Sequence, residues 1–69
     1  MKYYMVLEEG LGKETWRRVE HKFRDENSAK EYYNKSIKNL YTSSKYFKPV
    51  EVEVKYPIDE KYFEDIKND

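Results

Sequence analysis

Between residues 50 and 56 apolar and charged side chains alternate without a break, as Val50-Glu51-Val52-Glu53-Val54-Lys55-Tyr56. An extended strand sends successive side chains to opposite faces, whereas a helix would scatter these four apolar residues around its circumference. The segment therefore demands a sheet with one dry face. The rest of the chain has to supply the other strands and a cover.

Residues 2–7, Lys2-Tyr3-Tyr4-Met5-Val6-Leu7, are apolar on both sides and read as a central strand. Gly10 and Gly12, the two glycines of the chain, bracket Leu11, and positive φ at such positions would reverse the chain into a hairpin. A second strand then runs from about Glu14 to Phe23. With the turn centred on Leu11, residues 7, 5 and 3 face 15, 17 and 19. This register puts Tyr3, Met5, Leu7, Val19, His21 and Phe23 on the dry face, with Arg17 as an awkward companion. Tyr4, Val6, Trp16, Arg18, Glu20 and Lys22 go to the other face.

From Asp25 the period changes to that of a helix. Asp25 is one candidate N-cap, and Ser28 with Glu31 offers an alternative capping box. Ala29, Tyr32, Tyr33, Ile37 and Leu40 form an apolar stripe, Glu26–Lys30 and Glu31–Lys35 are i,i+4 pairs, and Thr42-Ser43-Ser44 ends the helix. Pro49 cannot donate to a ladder, so the third strand either starts there or lies at an edge. A right-handed crossover sets it beside the first strand. Asp59 caps a short final helix, with Ile58 and Phe63 as a hydrophobic staple and Tyr62, Phe63 and Ile66 as its apolar face.

The expected fold is thus an α+β domain spanning residues 1–69. It is a three-stranded antiparallel sheet in spatial order 2-1-3 (ββαβ), with one main helix packed on one face and a short C-terminal helix. Val50, Val52, Val54 and Tyr56 are expected in the core against Tyr33, Ile37 and Leu40. A chain of 69 residues buries only about 60% of its unfolded surface, so dimerisation is a reasonable way to gain stability. Cysteine is absent, which excludes disulfides and cysteine-ligated metal. No run is apolar enough for a membrane span or a secretion signal, so the expected location is the cytoplasm.

No constellation for catalysis, cofactor or metal binding can be assembled. The Gly10 and Gly12 loop lacks the further glycines and following helix of a phosphate loop. His21 is the single histidine and reads as a structural or surface residue. Glu51 and Glu53, Glu8 and Glu9, and the carboxylates at 59, 60, 64 and 65 read as solvated surface, without calcium-loop spacing.

Charge is balanced overall but not along the chain. Residues 1–48 carry eleven basic and seven acidic groups, and residues 49–69 carry three and seven. Lys13, Arg17, Arg18, Lys22 and Arg24 include every arginine, and the register above gathers Tyr4, Trp16, Arg18 and Lys22 with Glu51 and Glu53 on the face away from the helix. Aromatics among basic groups suit single-stranded nucleic acid; Trp, Tyr and Arg together also suit a protein interface. The repulsion of phosphates by Glu51 and Glu53 favours a protein partner. Two other readings stay open: cover of Trp16 and Tyr4 by the final helix or a second copy, and charge mimicry by the acidic C-terminal segment with Tyr62 and Phe63 at its tip.

In size and in its hairpin, helix, strand plan the chain resembles the small orphan proteins that phages and mobile elements encode to bind and inhibit host or defence proteins. That resemblance implies an inhibitor or adaptor with anti-defence action, and it carries no residues over.

Overall fold

The computed structural model describes residues 1–11, 15–38 and 44–65. It is an α+β domain made of β1 (Lys2–Leu11), β2 (Trp16–Phe23), α1 (Glu26–Ile37), β3 (Lys45–Tyr46), β4 (Val50–Glu53) and a single 3-10 turn (Glu60–Tyr62). The sheet is antiparallel, with β1 central, β2 on one side, and β3 and β4 successively on the other. The spatial order matches the sequence expectation, with the third strand in two pieces. Gly12, the expected start of the second strand at Glu14, and the roles of Lys13, Leu40, Thr42, Ser43 and Ile66 fall outside the described residues.

Proline explains the break in the third strand. Glu9 faces Lys45 and Glu8 faces Tyr46, whereas Met5 faces Val50 and Tyr4 faces Glu51. Phe47 donates its N–H to the Leu7 carbonyl (2.9 Å), so Lys48 and Pro49 together stand opposite Val6. Two residues against one is a β-bulge, which is where a residue without an N–H can sit in an edge strand.

The β1–β2 register differs from the expected one. Tyr4 faces Phe23, Val6 faces His21, Glu8 faces Val19 and Leu11 faces Trp16. Strand β1 runs on through Gly10 to Leu11, so the turn is not centred on Leu11 and the pairing slides by five residues. An odd slide exchanges the faces of β1 relative to β2. The face toward α1, the inner face, therefore carries Tyr4, Val6, Glu8, Val19, His21 and Phe23. Tyr3, Met5, Leu7, Trp16, Arg18 and Lys22 lie on the outer face.

Strand β4 follows β1. Glu51 shares the inner face with Tyr4, and Glu53 shares it with Lys2, while Val50 and Val52 pair with Met5 and Tyr3 on the outer face. The expectation that Val50, Val52, Val54 and Tyr56 pack under the helix is thus overturned; Val50 is 49% exposed and Tyr56 72%. Packed on the inner face are Val6, Phe23 and Ala29, with Tyr4, Tyr32, Tyr33 and Tyr46 around them.

Helix α1 begins at the first of the two candidate caps, Asp25. The Asp25 side chain accepts from the Ser28 N–H (3.2 Å), and Lys30 pairs with Glu26 at 3.1 Å. Ala29 is the residue of α1 that becomes fully buried; Ile37 is left exposed at its end.

Gly10 owes its identity to close approach. No described residue has positive φ, but a Cβ at Gly10 would lie 2.7 Å from Ser44 Oγ and 2.8 Å from Ser44 Cα. The missing side chain lets Ser44 come in beside the buried Glu8.

Candidate functional site

Two polar clusters fix the frame on which the exposed surface stands. The first has its centre, Glu8 and His21, buried beneath α1. His21 Nε2 lies 2.7 Å from Glu8 Oε2, and His21 Nδ1 lies 2.7 Å from Glu64 Oε2. The imidazole ring thus bridges the two carboxylates through its two nitrogens. Glu8 is 5% exposed and also accepts from Arg17 Nη2 (2.8 Å). Burial raises the Glu8 carboxyl, but hydrogen bonds from His21 and Ser44 and the charges of Arg17 and His21 outweigh it and hold the group below its ordinary value. The Tyr32 hydroxyl lies 3.2 Å from His21 Nε2. Its phenol is pushed up to about 12, chiefly by burial and then by Tyr46.

Glu8 is buried and is not the solvated surface group that the sequence suggested, whereas Glu64 keeps 46% of its side chain exposed and spends one carboxylate oxygen on His21. A signal did exist. Arg17 and His21 both occupy inward positions of β2 on either side of Val19, and a cation and an imidazole turned inward need a carboxylate on the facing strand.

The second cluster docks the C-terminal segment. Phe63 bridges to Lys22 on the outer edge of β2, and Glu64 donates its N–H to the Lys22 carbonyl (2.8 Å). The Asp65 carboxylate accepts from the N–H groups of Arg24 (2.7 Å) and Asp25 (3.1 Å), and Arg24 pairs with Glu60 at 2.7 Å. Arg24 lies over the Phe63 ring, whose edge packs on Tyr3. The acidic groups at 60, 64 and 65 are thus engaged within the molecule. Phe63 covers Tyr3 and does not reach Trp16, which stays 62% exposed.

The outer face therefore keeps exposed and half-buried side chains beyond Phe63. On β1 it presents Met5, Leu7 and Glu9, and on the third strand Phe47, Val50 and Val52, with Phe47 opposite Leu7 and Val50 opposite Met5. Phe47 is 36% exposed. The β2 column holds Trp16, Arg18, Glu20 and Lys22, and Arg18 pairs with Glu9 across the strands at 3.9 Å.

Of the residues expected to form one site, Trp16, Arg18 and Lys22 share this outer face. Tyr4, Glu51 and Glu53 belong to the inner face. Tyr4 and Glu51 instead line a groove of about 490 Å³ between α1 and the bulge, together with Glu26, Tyr33, Lys48 and Pro49. Sequence reasoning missed the apolar strip of Met5, Leu7, Phe47 and Val50, because the assumed register had assigned most of it to the core.

Among the described residues no helix is long and apolar enough to cross a membrane, and no group of three or more His, Asp or Glu side chains is placed to hold a metal ion. No protein-family model matches the chain, and no curated protein or solved structure is significantly similar to it.

Proposed function

We propose that this chain is a small non-enzymatic protein-binding module, an inhibitor or adaptor that acts in the cytoplasm by occluding a partner's surface with its outer sheet face. The observation that carries this reading is the apolar strip of exposed Phe47 and Val50 with half-buried Met5, Leu7 and Val52, while Trp16 stands 62% exposed on the same face at the far end of β2, beyond Arg18 and Glu9. Exposed contiguous apolar surface rimmed by charge is characteristic of interaction sites, and tryptophan is enriched among the residues that dominate binding energy. A host or defence protein is the class of partner favoured by the chain's resemblance in plan to small phage-encoded inhibitors.

The choice of a protein over nucleic acid rests on new grounds, since Glu51 and Glu53 lie on the other face. All three arginines stand against carboxylates: Arg17 with Glu8, Arg18 with Glu9 and Arg24 with Glu60. Glu9 and Glu20 also interleave with Arg18 and Lys22, and a phosphate backbone tracking that column would meet alternating signs. His21 has both ring nitrogens occupied by carboxylates, which leaves it no nitrogen with which to exchange a proton with a substrate.

Partner capture by the native chain and by Phe47→Asp, with folding checked by circular dichroism, tests this reading. Loss of capture supports it, and undiminished capture overturns it. Light scattering across concentration separates a heterologous partner from a second copy of the chain on the same face.

A further inference from the structure

Hydrogen bonding at the end of the sheet fixes which backbone groups of β4 are free. Met1 donates its amino group to the Val54 carbonyl (2.9 Å), and Val54 donates its N–H to the Met1 carbonyl (2.8 Å). An antiparallel ladder alternates such doubly bonded pairs with pairs that bond outward. Tyr3–Val52 and Met5–Val50 are therefore the inward-bonding pairs, and Glu51 and Glu53 turn their N–H and C=O groups away from β1. Among the described residues β4 pairs with β1 alone, so these four groups form a free edge.

Side chains say what that edge will accept. Residues that pair with Glu51 and Glu53 from an added strand place their side chains beside theirs on the inner face. Glu51 has Lys2 at 3.6 Å and remains half exposed, while Glu53 makes no ion pair with a described residue. Pairing of β4 with β4 of a second copy would set carboxylate against carboxylate, which is destabilising. The edge of β2 is no better suited, because its outward residues alternate Arg18 with Glu20. The groove beside Glu51 supplies Tyr4 and Tyr33 rings and the Glu26 carboxylate, a lining that fits the stem and head of a lysine or arginine. Lys48 at the bulge and Lys30, held by Glu26, bound it.

We propose that β4 accepts an extended segment of the partner protein as an added strand, with basic residues at two alternate positions paired to Glu51 and Glu53. The apolar residues between them extend the strip of Val50 and Val52 on the outer face. This deepens the protein-binding reading and rests on it. Backbone pairing supplies affinity and the alternate side chains supply selectivity.

The test uses a capped octapeptide of alternating lysine and valine, titrated into the full chain and followed by amide chemical shifts and hydrogen exchange. Protection of the Glu51 and Glu53 amides is expected. Replacing the lysines by glutamate should weaken binding roughly tenfold, and Glu51→Lys with Glu53→Lys should reverse that preference. N-methylation of the peptide amides facing β4 should abolish binding. Equal binding of both peptides, or indifference to N-methylation, overturns strand addition. Phe47→Asp separates the two readings, because it removes capture of the natural partner while the octapeptide still protects Glu51 and Glu53. Capture that survives Phe47→Asp contradicts the outer-face reading alone; peptide binding lost from a variant that still captures the partner contradicts strand addition alone.

Discussion

His21 and Glu64 meet at 2.7 Å across 43 residues of sequence, and this contact ties the C-terminal segment to the sheet. The segment has little apolar burial of its own, since its 3-10 turn buries no residue. Its docking depends on Glu64, Asp65 and Phe63. Glu64→Ala should therefore cost about 1 kcal/mol, a charge-assisted bond reduced by the partial exposure of the carboxylate. Urea denaturation measures the loss, and faster exchange at the Glu64 amide, which bonds Lys22, localises it.

Acid should unfold the protein partly through Glu8. Its carboxyl is held below its ordinary value in the folded state, so the folded chain binds fewer protons than the unfolded one through that range. The associated stability is present above the ordinary carboxylate value and is lost as pH falls through the folded one, below about pH 4. Glu8→Gln should flatten this acid limb. It should also cost about 2 kcal/mol or more at neutral pH, because the buried negative charge is lost and one of Arg17 and His21 meets an amide NH2 in place of an acceptor oxygen. Denaturant midpoints between acid and neutral pH check both effects.

At the alkaline end the sign is opposite. The Tyr32 phenol is raised to about 12, so the folded state keeps a proton that the unfolded chain gives up. Stability is full below the unfolded phenol value of about 10 and declines as pH rises toward 12. Tyr32→Phe should reduce this decline, read from thermal midpoints across that range.

Gly10→Ala should destabilise the fold by about 1–3 kcal/mol, as overpacking of a close contact does. The new methyl would meet the Ser44 backbone at 2.8 Å and push Ser44 away from Glu8. A shift in the acid limb together with the lower midpoint would show that the two effects travel together.

Much of the fold was legible in the sequence. The all-apolar run from Tyr3 to Leu7 marked the central strand, Asp25 marked the helix start, and Pro49 marked the edge strand. Register was not legible, because a strand apolar on both faces is equally content either way round. The glycines made matters worse by suggesting a turn at Leu11, whereas Gly10 lies within β1 and serves Ser44. The alternation from Val50 to Tyr56 correctly announced a strand, yet its valines face outward, because β4 takes its faces from a β1 turned opposite to expectation. For the same reason Tyr4, Glu51 and Glu53 separate from Trp16, Arg18 and Lys22. The Glu8–His21–Glu64 contact needed the true register and the path of the C-terminal segment, and local sequence carries neither.

The central claim is that the outer face is the working surface. It is tested most directly by affinity capture from a lysate of the cells in which the protein acts, comparing the native chain with a folded Phe47→Asp, Val50→Asp variant and recording nucleic-acid absorbance in the eluate. The account predicts a protein retained by the native chain, lost from the variant, and free of nucleic acid. The same protein retained equally by both chains, or an eluate dominated by nucleic acid, would contradict it.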